Sequence, residues 1–311
     1  MSKSMEVNVG GIALRNPILV ASGTFGAGLE ALEQGVNLGA IGGVVTKSVT
    51  TQPRGGNPPP RICETPSGML NSIGIMNPGV DVFIRDIMPQ FAQLPCVRIV
   101  NVAGESAQDF EMLVSRFDDV SACDALELNV SCPNVSGGLD FGIDVALLES
   151  LVNRCRQRTR KPLWVKLTPN ITDIVPIARA AVRGGADALA LTNTYLGMAI
   201  DWRRKLPRLG SKLGVGGLSG PAIKPLSLYA VHKVARAVEV PIVGIGGIRD
   251  ADDVMEFIVA GATAVQVGTS NFADPSAAVE IASALQSWID DETISDLASY
   301  RQSLIVPRPH G

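Results

Sequence analysis

The sequence predicts an α/β protein, a single (β/α)8 or TIM barrel with long strand-to-helix loops over its C-terminal face. Three observations carry that prediction. Eight short apolar runs alternate with amphipathic ones, no linker interrupts the alternation, and long loops follow the second, fourth and sixth runs. Short apolar runs suit parallel strands buried on both faces. Unbroken alternation over all of residues 1–311 favours one closed barrel over two domains. An open doubly wound sheet is the alternative. It wants a dinucleotide fingerprint after its first strand, and Ser22-Gly-Thr-Phe-Gly-Ala-Gly28 does not supply G-x-G-x-x-G.

The chain opens with a hairpin-like segment, residues 6–9 and 12–14 around Gly10-Gly11. Strands are expected over 18–21, 43–46, 98–102, 126–129, 163–166, 188–192, 242–246 and 264–267. Helices are expected over 29–34, 80–93, 107–118, 145–158, 173–183, 222–238, 251–260 and 275–290. Asp274 before Pro275 reads as an N-cap followed by proline at the first helical position, and Asp250 and Thr172 can cap in the same way. The loops over 48–78, 133–144 and 193–221 far exceed the roughly two to six residues usual in such units. All three leave the face where barrels build active sites. The third carries Arg203, Arg204, Lys205, Arg208 and Lys212, which read equally as a solvated segment or as contacts for an anionic partner.

Composition narrows the function. Hydrophobic content of 46%, charged content of 18% and a net charge of −3 give no electrostatic case for nucleic acid or an anionic membrane. No apolar run approaches the roughly 18 residues of a membrane span, and the first residues lack the apolar core of a signal peptide. A cytoplasmic location is expected. Five cysteines without C-x-x-C spacing argue against a disulfide framework, a zinc site or a ligated iron–sulfur cluster. Only His232 and His310 are available as imidazoles, so no metal site is expected.

The stretch Leu126-Glu-Leu-Asn-Val-Ser-Cys-Pro-Asn134 reads as a buried strand that ends in chemistry. Asn129 and Asn134 flank Cys132. Asn donates and accepts, which suits a planar amide or imide, and a thiol can give up or take a proton. A buried structural cysteine beside a turn is the plainer alternative. Ser22, Lys47, Asn101, Asn129, Lys166 and Asn193 all stand at strand ends. Two lysines there imply an anionic ligand, an anionic cofactor state, or both. The last two strands end in Gly244-Ile-Gly246-Gly247 and Gly268-Thr269, where backbone N–H groups can close on phosphate, and Gly217-Leu-Ser-Gly220 can close a third side. These features fit flavin mononucleotide (FMN) better than a sugar phosphate, because the carboxylate pair of sugar-phosphate chemistry is missing.

The sequence resembles class 1 dihydroorotate dehydrogenases over nearly its whole length. The matching motifs are Asn16-Pro-Ile-Leu-Val-Ala-Ser-Gly23, Thr46-Lys-Ser48, Asn71-Ser-Ile-Gly-Ile-Met-Asn-Pro-Gly79, Asn101-Val-Ala-Gly104, Glu127-Leu-Asn-Val-Ser-Cys-Pro-Asn134, Val165-Lys-Leu-Thr-Pro169, Asn193-Thr194, Gly217-Leu-Ser-Gly220, Gly246-Gly247 and Gly268-Thr269. Ile73-Gly-Ile-Met-Asn-Pro-Gly79 and Phe25-Gly-Ala-Gly28 are closer to the type B, NAD-linked enzymes than to the fumarate-linked type A homodimers. Thr24 departs from the family, where Cys is frequent, and touches no implied role.

The resemblance implies FMN-dependent oxidation of (S)-dihydroorotate to orotate in de novo pyrimidine (UMP) biosynthesis. Cys132 is then the base for the C5 proton while hydride leaves C6 for flavin N5. Lys47, Asn71, Ser72, Ile73, Gly74, Ile75, Asn129, Asn134, Asn193 and Thr194 hold the substrate. Lys166 sits at the flavin N1 and O2 edge. Ser22, Lys47, Ser48, Asn101, Asn129, Thr192, Gly220, Gly246, Gly247, Gly268 and Thr269 complete the flavin shell, and residues 133–144 form a lid. With no nicotinamide fingerprint and no cluster spacing, an external electron acceptor is expected. The type B resemblance implies a partner subunit carrying FAD and a [2Fe–2S] cluster, with this chain a homodimer inside a heterotetramer. Rival readings are a type A enzyme, a dihydropyrimidine dehydrogenase-like reductase of uracil or thymine, a sugar-phosphate aldolase or isomerase, and a flavin-binding barrel without turnover.

Overall fold

The computed structural model of the chain describes residues 4–131 and 141–305. Eight parallel strands close into a barrel: β1 (Ile18–Val20), β2 (Gly43–Val45), β3 (Val97–Val102), β4 (Ala125–Asn129), β5 (Leu163–Leu167), β6 (Ala188–Leu191), β7 (Ile242–Ile245) and β8 (Ala264–Val267). β8 pairs with β1, as Val265 opposite Ile18 and Val267 opposite Val20, so no strand edge is left open. All eight lie where their apolar runs place them.

Each strand alternates between two cores. Leu19, Val45, Ile99, Ala125, Trp164, Ala188, Val243 and Ala264 point inward and fill the barrel, while Ile18, Val20, Val44, Val100, Leu126 and Leu128 point outward against the helices. The opening hairpin, Val7–Val9 paired with Ile12–Leu14, adds Val9, Ile12 and Leu14 to the inner core. Each such buried side chain contributes about 1.5–3 kcal/mol. The hairpin turn presses on the chain just before β6, where a side chain at Gly10 would come within 2.8 Å of the Asp187 carbonyl oxygen. It therefore stops the amino-terminal end of the barrel, and the carboxyl ends stay available for chemistry.

The helices follow expectation with local corrections. Ser106 and Asp109 form a reciprocal capping box before helix Ala107–Asp118. Asp250 caps Ala251–Ala260 by accepting from the Asp253 amide at 2.9 Å. Helix Ile174–Arg183 is capped by Asp173 rather than Thr172, the longer-reaching carboxylate accepting from the Val175 amide. Asp274 instead closes a separate turn by accepting from the Ser276 amide at 2.8 Å, and the last long helix starts later, at Ala277–Asp290. The helix expected over 80–93 carries a π turn, Phe83–Ile87, ending two residues before Pro89. Proline has no amide to donate back along the helix, and the wider turn accommodates that gap.

The long loops after β2 and β6 hold structure that the sequence reading leaves out. Ile62–Thr65, Gly68–Asn71, Val215–Ser219 and Tyr195–Met198 form one antiparallel sheet across the two loops. Gly68 permits the contact, because a Cβ there would sit 2.0 Å from the Ser219 carbonyl oxygen. Among the described residues no helix is long and apolar enough to cross a membrane.

Candidate active site

The carboxyl ends of five strands are tied by one run of hydrogen bonds. The Asn193 amide donates to Asn129 Oδ1 at 3.1 Å, and Asn129 Nδ2 donates to Ser48 Oγ at 3.1 Å. Ser48 Oγ donates to Asn101 Oδ1 at 2.5 Å, and Asn101 Nδ2 donates to Glu127 Oε1 at 2.7 Å. Gln266 Nε2 donates to the other carboxylate oxygen, also at 2.7 Å. Glu127, Asn101 and Gln266 are fully buried. A buried carboxylate accepts and does not donate, so its presence fixes the orientation of every amide in the run.

Lys166 enters the same interior from β5, beside Asn129 in register and only 5% exposed. Burial lowers its pKa below that of an ordinary lysine, and the charge of Glu127 opposes that shift. Lys47 follows β2, its amide donating to the Gly26 carbonyl at 3.0 Å. Burial, and then the nearby Arg61 guanidinium, lower its pKa too. Two perturbed lysines at one barrel mouth mark a functional site.

Residues 71–75 reach the mouth from the loop sheet. Asn71 Nδ2 donates to the Gly217 carbonyl at 3.3 Å, the Ser72 amide donates to the Arg61 carbonyl at 2.7 Å, and Asn57 donates its amide N–H to the Ile73 carbonyl at 3.0 Å. Gly74 and Ile75 both take positive φ, at 74° and 53°. Asn77 holds that turn. Its Oδ1 accepts from the amides of Thr50 and Gly79 at 3.1 and 2.9 Å, and its Nδ2 donates to Thr50 Oγ1 and the Ile75 carbonyl, each at 2.8 Å. Thr194, whose amide donates to Asn193 Oδ1 at 2.8 Å, packs where a Cβ on Gly217 would come within 2.0 Å of its Oγ1.

The glycines that follow β7 meet the turn at Gly220. Gly220, Gly246 and Gly247 all have positive φ, and a Cβ on Gly247 would lie 2.8 Å from Lys224 Cβ and 3.0 Å from the Gly220 carbonyl oxygen. A Cβ on Gly268 would make only ordinary contacts, 3.6 Å to Ala21 and 3.7 Å to Thr24, so the protein leaves room above it. Thr269 Oγ1 donates to Ser219 Oγ at 2.8 Å, and Thr192 Oγ1 lies 3.1 Å from Ser227 Oγ. Ser22 is half-buried where the chain leaves β1. These groups fit FMN: a backbone cradle for a phosphate, a buried lysine for the ring, and the unpartnered Gln266 Oε1 inside the barrel.

Cys132 and Asn134, and most of the expected lid, lie outside the described residues. The described cysteines, Cys63, Cys96, Cys123 and Cys155, are free thiols. Burial pushes Cys96, Cys123 and Cys155 up to about 12, which keeps them protonated and inert. Glu127, Gln266, Asn77, Asn57 and Arg61 take no assigned role in the sequence reading, although Glu127 and Asn77 sit inside its motifs. A carboxylate in the middle of an otherwise apolar strand was the available signal for Glu127.

A sequence profile of the dihydroorotate dehydrogenase family matches residues 4–289. The chain belongs to the dihydroorotate dehydrogenase family. Its relatives include the dihydroorotate dehydrogenase B (NAD(+)) catalytic subunit of Trichlorobacter lovleyi, 50% identical over 96% of this chain and 98% of the relative. The subunits of the same name from Alkaliphilus metalliredigens and Solidesulfovibrio magneticus are each 49% identical, covering 97% and 98% of this chain and 99% and 100% of their own lengths. The closed barrel and its polar mouth are thus those of an oxidoreductase family.

Proposed function

We propose that the chain is one FMN-binding barrel domain, residues 1–311, that oxidises (S)-dihydroorotate to orotate in de novo pyrimidine biosynthesis. It acts in the cytoplasm as the catalytic subunit of a type B, NAD+-linked dihydroorotate dehydrogenase. The observation that carries this reading is the directed run of amides from Asn193 to Glu127, with Lys166 beside it. The names of the relatives support the subtype.

FMN, when bound, accepts hydride at N5 and spreads negative charge over its N1 and O2 edge. Gly220, Gly246, Gly247, Gly268 and Thr269 hold its phosphate, Lys166 faces the N1 and O2 edge, and Ser22, Lys47, Ser48, Asn101, Asn129 and Thr192 line the remainder. Lys47 pairs with the substrate carboxylate. Asn71 to Ile75, Asn129, Asn193 and Thr194, with Asn134, fix its planar imide. The Asn129 amide can serve as a rigid guide because Ser48 and Asn193 already hold both its ends. Cys132, as thiolate, takes the C5 proton.

The oxidation needs a final electron acceptor. The proposed route is a partner subunit with FAD and a [2Fe–2S] cluster leading to NAD+, around a homodimer of this chain. Steady-state assays of the lone chain with a dye, fumarate and NAD+ test it. Turnover with the dye and negligible NAD+ reduction until the partner is added is the expected result. Efficient fumarate turnover without a partner would identify a type A enzyme, and preference for dihydrouracil over dihydroorotate a dihydropyrimidine dehydrogenase-like one.

A further inference from the structure

The buried carboxylate of Glu127 is not needed to bind an anionic substrate, and inside the barrel it repels one. It is 0% exposed, and both its oxygens are held by neutral amides, Asn101 from β3 and Gln266 from β8, at 2.7 Å each. Those amides orient the carboxylate without cancelling its charge. Glu127 and Lys166 are diagonal neighbours on adjacent strands facing the barrel interior, because Glu127 stands opposite the inward-facing Trp164 and Asn129 opposite Lys166. The register neighbours of Lys166 are Asn129 on β4 and Ala190 on β6, neither titratable. Burial lowers the pKa of Lys166 and the negative charge of Glu127 opposes that shift, whereas at Lys47 burial and the Arg61 guanidinium both lower it. An ammonium in so dry a site needs a counter-charge to stay ionised.

We propose that Glu127 is a positioning residue that keeps Lys166 as an ammonium in the barrel mouth before electrons arrive. This inference rests on the reading that FMN lies against Lys166. Reduction by hydride delivers two electrons and one proton to the cofactor and leaves one negative charge at the N1 and O2 edge. With Glu127 ionised, Lys166 is already charged, and reduction takes up that one proton. With the charge of Glu127 removed, Lys166 sheds its proton in the oxidised state and recovers it when the cofactor becomes anionic. Reduction then takes up two protons per two electrons.

Glu127→Gln removes the charge with little disturbance to the run of amides. Gln266 Oε1 is a buried acceptor with no partner among the described residues, so a rotated Gln266 amide can accept from the new donor. The test is the pH dependence of the midpoint potential of the FMN-loaded chain. Wild type and Glu127→Asp are expected to take up one proton per two electrons, Glu127→Gln two, and the Glu127→Gln, Lys166→Met double variant one. A flavin-loaded Glu127→Gln with the wild-type slope, or an extra proton that persists in the double variant, would overturn the inference. Wild-type chain that takes up no FMN would instead overturn the reading beneath it. A measurement without the Glu127 variants carries the same claim: nitrogen NMR of labelled lysine, assigned with Lys166→Met, should show Lys166 as an ammonium at neutral pH in the oxidised protein. A neutral amine there would overturn it.

Discussion

Asn101 donates to Glu127 at 2.7 Å and accepts the Ser48 hydroxyl at 2.5 Å, so one acceptor-only carboxylate sets the direction of every amide out to Asn193. Ser48 is the link on which that direction depends. Ser48→Ala leaves Asn101 Oδ1 and Asn129 Nδ2 without their partner at a buried site. The expected cost is about 1–3 kcal/mol of stability, measured by urea unfolding. Orotate affinity should fall as well, because Asn129 loses its orientation. An unchanged orotate Kd in the destabilised variant would show that the run supports the fold alone.

Asn77 makes four hydrogen bonds, two to Thr50 in the loop after β2, one to the Ile75 carbonyl and one to the Gly79 amide, and so ties the Gly74–Ile75 turn to that loop. Asn77→Ala is expected to weaken orotate roughly 10-fold or more, on the order of the 1.4 kcal/mol that one displaced hydrogen bond represents. FMN binding should stay close to normal. Calorimetric titration with each ligand separates the two effects.

The contact proposed between Lys47 and the orotate carboxylate needs an ammonium, and burial, then Arg61, lowers the pKa of Lys47. The sign follows directly: affinity is full on the acidic side of that lowered pKa and is lost as pH rises through it, earlier than an ordinary lysine near 10.4 allows. Orotate binding should therefore weaken at a pH below the range in which an ordinary lysine loses its proton, and Lys47→Met should remove both the affinity and its pH dependence. A wild-type profile that stays flat to strongly alkaline pH would move the carboxylate elsewhere.

Gly247 has a φ of 76° and no room for a Cβ against Lys224. Gly247→Ala is expected to displace the backbone of the proposed phosphate cradle, so that the folded variant binds FMN roughly 5–30-fold more weakly, a loss of about 1–2 kcal/mol. Fluorescence titration of the apoprotein with FMN reads it out. Riboflavin, which lacks the phosphate, should be affected much less.

The barrel was legible because its signal is repeated eight times: Ile18 to Val20, Gly43 to Val45 and the six later strands each read as short buried runs. Polar residues at strand ends were equally visible: of Ser22, Lys47, Asn101, Asn129, Lys166 and Asn193, the three asparagines share one run of hydrogen bonds through Ser48 and Lys166 stands opposite Asn129, while Ser22 and Lys47 stand outside that run. The loop sheet was hidden because its strands, Gly68–Asn71 and Val215–Ser219, come from loops far apart in sequence and pair through glycines that carry no hydrophobic pattern. Glu127 was hidden for a related reason. Alternation says only that it faces inward, and its partners Asn101 and Gln266 come from strands 26 and 139 residues away.

The most direct test is the visible absorption spectrum of the purified chain before and after dihydroorotate is added without oxygen. A yellow protein is expected, whose flavin absorption bleaches on mixing. In Cys132→Ala the bleaching should be slower by roughly 10²–10⁴, the loss expected when a positioned base is removed. A colourless chain that cannot be reconstituted with FMN, or bound flavin that dihydroorotate leaves oxidised, would contradict it.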